Sequence, residues 1–129
     1  MVVTMHLITL FTILIFSKMT YALPLSFDCS YESFSDDSGN HKVENDFDLK
    51  FVLDADSEKA YMVGNNGAAD VIYLINPSGE SISFVEITPS QNVMTTTISP
   101  ISGESVHSRN SVLLGEMIPS QYYGKCEIK

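Results

Sequence analysis

Residues 46–54 set the pattern for the rest of the chain. Phe47, Leu49, Phe51 and Leu53 alternate with Asp48, Lys50, Val52 and Asp54. Successive strand side chains point to opposite faces, so this stretch predicts a strand with one dry and one wet side. Asp54-Ala55-Asp56-Ser57-Glu58-Lys59 then reads as a polar turn, residues 60–63 as a short strand, and Gly64-Asn65-Asn66-Gly67 as a hairpin turn. Asn-Gly tolerates the positive φ that a type I′ turn demands. Residues 70–75 are β-branched and aromatic, and stop at Asn76-Pro77-Ser78-Gly79, where Pro fixes φ and Gly allows the reversal.

The strand over 81–88 places Ile82, Phe84 and Glu86 on one face, and after Pro89-Ser90-Gln91-Asn92 the next, over 93–99, directs Met94, Thr96 and Ile98 inward. Further strands are predicted over 104–108 and 111–117, separated by a break at Arg109-Asn110. Pro119-Ser120-Gln121 reads as a turn and 122–128 as the closing strand. Upstream, residues 23–45 are rich in Ser, Asp, Glu and Asn. They read as a polar loop around Asp36-Asp37-Ser38-Gly39-Asn40, anchored by Cys29 and Phe34, with at most a short strand at 27–31. Seven or eight short strands with turn signals every 8–12 residues, and no amphipathic helix, make an all-β protein. Short connections favour an antiparallel meander, closed into a small barrel or flattened into a sandwich.

The first residues do not belong to this pattern. Residues 7–16 form an apolar run broken only by Thr9 and Thr12. The run is too short for a hydrocarbon core of about 30 Å, which takes roughly 20 apolar residues. It suits a signal-peptide core, and Thr20 and Ala22 supply small residues at the −3 and −1 positions of a cleavage site. The expected organisation is therefore a signal peptide over 1–22 and one β-domain over 23–129, secreted or periplasmic. The run is preceded by no Lys or Arg, which leaves an uncleaved anchor as the alternative.

Charge and cysteine usage narrow the partners. The chain has 7 Lys and Arg against 16 Asp and Glu. Without residues 1–22 only Lys18 is lost, so six cations face the same 16 carboxylates. Nucleic acid and anionic lipid need clustered cations, and are not expected partners; a basic protein is. The two cysteines, Cys29 and Cys126, lie near the two ends of the β-domain. In an exported chain they predict a single structural disulfide closing almost the whole domain.

Candidate chemistry gathers near the C-terminus, where the only Arg, a His, a Tyr pair and Cys126 fall close together. Arg109 offers bidentate donors to a carboxylate or phosphate, or pairs internally with Glu86, Glu104 or Glu116. His107 lies near Ser105 and Ser108, so a hydrolytic arrangement is conceivable. No G-x-S-x-G elbow supports it, and a hydrogen-bonded strand residue is the plainer reading. Tyr122 and Tyr123 point to opposite faces, and with Gln121 complete a candidate contact set of His107, Arg109, Gln121, Tyr122 and Tyr123. Asp54, Asp56 and Glu58 resemble the start of a calcium loop, but Lys59 and Asn65 occupy the positions that require Gly and Glu. His41 and His107 make only half of a zinc site. No metal and no cofactor is expected.

Four pieces of the later sequence carry a resemblance: Phe84-Val85-Glu86, Thr95-Thr96-Thr97-Ile98, Val106-His107-Ser108-Arg109, and Pro119-Ser120-Gln121-Tyr122-Tyr123-Gly124-x-Cys126. Through them the region over 84–127 resembles a group of small secreted bacterial proteins without an assigned activity. The resemblance implies export and a compact β-domain, and carries no mechanism. Small barrel inhibitors of secreted or periplasmic lysozymes are similar in size and in having a disulfide, an analogy of architecture alone. The expected function is a non-enzymatic exported β-domain that binds a small molecule or a basic protein. Inhibition of a secreted hydrolase, an envelope-associated structural role and, last, hydrolysis through His107 are the alternatives.

Overall fold

Eight antiparallel strands follow one another around a closed barrel. They are β1 (Leu25–Asp36), β2 (Gly39–Asp54), β3 (Lys59–Gly64), β4 (Gly67–Ile75), β5 (Ile82–Ile87), β6 (Val93–Ile98), β7 (Glu104–Leu113) and β8 (Glu116–Ile128). This computed structural model describes residues 23–64 and 67–129. The expected signal peptide and the Asn65-Asn66 turn lie outside the described residues. Of the two architectures predicted, the barrel is the one formed. β1 pairs with β8 at nine positions, from Phe27↔Ile128 to Asp36↔Ser120, and this seam closes the sheet.

Period-two alternation selects the interior. Phe27, Cys29, Tyr31, Leu49, Phe51, Leu53, Ile82, Phe84, Ile98 and Cys126 are buried, while Asp28, Ser30, Asp48 and Lys50 between them face outward. An eight-stranded barrel is just wide enough for side chains to fill it. The filling is largely aromatic: Phe51 stacks on Phe84 with ring centroids 4.4 Å apart, and Phe27 meets Phe84 edge-on at 5.4 Å.

Cys29 and Cys126 are directly opposed in the seam, with Cα atoms 3.9 Å apart, and form the predicted disulfide. Two steps along, Gly124 opposes Tyr31, where β1 carries a bulge, its register to β8 passing from Tyr31↔Gly124 to Ser33↔Tyr123. A Cβ on Gly124 would lie 2.0 Å from the Ser30 carbonyl oxygen, so only glycine lets the strands approach here.

Three sequence expectations need correction. Residues 23–45 are not a loop but most of a long hairpin, β1 and the first part of β2. The inward positions Phe27, Cys29 and Tyr31 do alternate, but the bulge shifts the phase before Phe34, and polar neighbours mask the pattern. Arg109-Asn110 is not a break, because β7 runs through it. Nor does Pro119 mark a turn: it sits within β8 opposite Asn110, where β8 has β7 as its only strand neighbour. An edge of this kind tolerates a residue without an N–H. The true reversal is Leu114-Gly115, both at positive φ (52° and 82°).

Candidate binding end of the barrel

The barrel ends differ. One carries the chain termini and three turns; the other carries the β1–β2, β5–β6 and β7–β8 hairpin turns, the last at Leu114-Gly115. Inward positions near the termini are mostly apolar. Toward the hairpin end the same strands present Phe34, Phe47, Glu86, His107, Arg109 and Tyr122.

His107 is 3% exposed. Its Nδ1 shares a 2.8 Å hydrogen bond with the Thr96 hydroxyl, its register partner on β6. Tyr31, Phe47 and Tyr122 pack around the ring at 5.9, 5.6 and 6.1 Å between centroids. Burial, helped by the nearby Arg109 charge, pushes its pKa down to about 4. The imidazole is thus neutral across physiological pH, and a general base works best with a pKa near the operating pH. Neither neighbouring serine is its partner. Ser105 Oγ is 3.0 Å from the Tyr31 hydroxyl, and Ser108 Oγ accepts from Gln121 Nε2 on the outer wall.

Arg109 lies two residues nearer the mouth. Its Cζ sits 5.9 Å from the ring centroids of both Phe47 and Tyr122. Each contact of this type contributes about 0.5–1 kcal/mol, more where water is excluded. The register Glu86↔Met94↔Arg109 sets Glu86 on the same inner face, two strands away. Among the described residues Arg109 forms no ion pair, so the internal pairs weighed from sequence do not form. Burial raises the pKa of Glu86, and Arg109 offsets this only in part.

The structure divides the sequence-derived contact set. His107, Arg109 and Tyr122 come together inside, with Phe47, which sequence reasoning did not assign, and Glu86, which it offered only as an ion-pair partner of Arg109. Tyr123 and Gln121 lie outside, where the Tyr123 hydroxyl donates to Gln121 Oε1 (3.1 Å) and is 3.0 Å from Ser35 Oγ. Gln121 also lines an open groove of about 490 Å³ with Ser35, Thr95, Ser108 and Asn110. Phe47 was legible as an inward residue of β2; that it faces Arg109 follows only from closure.

Other candidates take local roles. Asp54 Oδ1 accepts the backbone N–H groups of Asp56 and Ser57, an Asx-type turn. His41 stays in the β1–β2 hairpin, 2.9 Å from Asp36 and stacked on Phe34. Among the described residues no three His, Cys, Asp or Glu side chains converge as metal ligands. No helix there is long and apolar enough to cross a membrane.

Comparison of the chain with protein families, characterised proteins and solved structures finds no match.

Proposed function

We propose that this protein is an exported, non-enzymatic binding module whose hairpin end is the binding end, with Arg109 receiving a carboxylate. The observation that carries this reading is the state of Arg109: the only guanidinium of the chain, held between two aromatic rings and free of any ion pair among the described residues. A half-buried guanidinium flanked by two rings and in no ion pair among the described residues offers its donors to an incoming acceptor. The acidic field disfavours free polyanions. A single carboxylate on a neutral or basic molecule fits better. The disulfide is compatible with an oxidising compartment. On β1 and β2 the outward Asp28, Ser30, Asp48 and Lys50 alternate with inward apolar residues, the reverse of the pattern of a membrane-spanning strand.

A unique arginine gives a unique Nε–Hε resonance. Titration with acetate and then benzoate is expected to shift it saturably, with benzoate binding more tightly because of the flanking rings. Arg109→Lys should weaken binding while leaving the melting temperature nearly unchanged. An unmoved resonance with both probes would sink the reading.

A further inference from the structure

We propose that the tip of the β7–β8 hairpin is a protein-docking element, shaped to enter an apolar slot framed by basic side chains on another protein. The ladder from β6 to β7 ends at Val93↔Asn110, and that from β1 to β8 ends at Asp36↔Ser120. Residues 111–118 therefore project beyond the rim as a two-stranded ribbon with both outer edges unpaired by a neighbouring strand. Short edges with charges or bulges normally protect a sheet from other chains. This ribbon has one charge, Glu116, and five apolar side chains: Val112, Leu113, Leu114, Met117 and Ile118. Leu113 is 61%, Met117 62% and Leu114 97% exposed. Val112 and Met117 are register partners on one face, while Leu113 and Ile118 lie on the other. Both faces of the ribbon are therefore apolar, as an element that enters a slot requires, and exposed apolar surface of this kind marks an interaction site.

Leu114 strengthens the case. It occupies the first position of the reversal at φ 52°, a conformation at home with Asn or Gly and strained for leucine. Within the barrel a side chain exposed this far gains no packing in return. Strain kept at an exposed position is characteristic of functional surfaces. The ribbon is also held in place at its base, where the Val112 N–H donates to Asn92 Oδ1 at 3.2 Å. A pre-ordered element loses less entropy on docking.

Charge selects the occupant. The ribbon rises beside the Asp36-Asp37 turn, and the whole chain has a net charge of −9. Hydrogen bonds from Ser38 and His41 hold the Asp36 carboxyl down to about 2, so it stays ionised. A second copy and an anionic bilayer would both be repelled, whereas a basic protein surface is attracted and steered.

The test uses the full disulfide-bonded chain and an amphipathic Leu/Lys peptide with one Trp, with a Leu/Glu peptide of the same apolar face as control. The protein has no Trp, so the peptide fluorescence reports binding alone. The Lys peptide should bind, weaken as NaCl rises, and lose at least about tenfold in affinity to the variant Leu113→Ser/Met117→Ser, which keeps the charge. Should that variant fail to fold, Leu114→Asn supplies the comparison, since Asn suits its backbone. Four outcomes overturn the proposal. These are no binding of the Lys peptide, equal affinity for the Glu peptide, an affinity unchanged by the ribbon variants, or a ribbon-dependent preference for a second copy (by sedimentation) or for phosphatidylcholine vesicles.

Discussion

Removing the Cys29–Cys126 bridge, as Cys29→Ala/Cys126→Ala, isolates what holds the barrel closed. The bridge spans 97 residues of sequence. Loop-closure entropy for a loop of about 100 residues corresponds to roughly 4.7 kcal/mol, acting through the unfolded ensemble. Native domains are stable by only about 5–15 kcal/mol, so the loss is a large share. The folded barrel should nevertheless still close, because the seam keeps its nine paired positions around the deleted bridge. The variant should show a native-like β spectrum in the cold and a thermal midpoint lower by roughly 20 °C or more. In urea the midpoint should fall and the m-value rise, since an unlinked chain exposes more surface on unfolding. A loss below about 1 kcal/mol with an unchanged m-value would refute the view that the bridge acts by restraining the unfolded chain.

Two further predictions follow from the same interior. Gly124→Ala forces a methyl group against the Ser30 carbonyl and Tyr31 Cα of the opposing strand. It should cost at least about 3 kcal/mol in urea unfolding, at the upper end of overpacking, because backbone rather than a flexible side chain must move. His107 should make the protein acid-sensitive before its carboxylates do. Unfolded, the imidazole titrates near 6.5; folded, it is held to about 4. As pH falls the unfolded chain binds the proton first, so stability is full above about 6.5 and declines to pH 4, by about 3 kcal/mol. Glu86, whose pKa is raised, works in the opposite direction and blunts the decline. His107→Gln should flatten the melting-temperature profile between pH 7 and 4.5; an equally steep profile would contradict the buried neutral imidazole.

The chain alone determined its all-β class, the inward faces of most strands and the pairing of its two cysteines. Each follows from local rules: a two-residue side-chain period, turn residues with defined φ, and the single pairing that two cysteines allow. Closure was different. A meander pattern is compatible with an open or a closed sheet, and only the first-to-last pairing makes it a barrel. Gly124 and the bulge after Tyr31 carry that pairing, yet neither shows its partner along the chain. The same limit divided the contact residues. Alternation placed Tyr122 and Tyr123 on opposite faces, but whether Tyr122 met solvent or Arg109 depended on the β7–β8 register, which sets it two residues from Ser120, the partner of Arg109. The ribbon was hidden for a related reason. Its apolar residues read as an ordinary strand, because exposure is decided by how far the flanking strands extend, and that length is fixed by tertiary pairing.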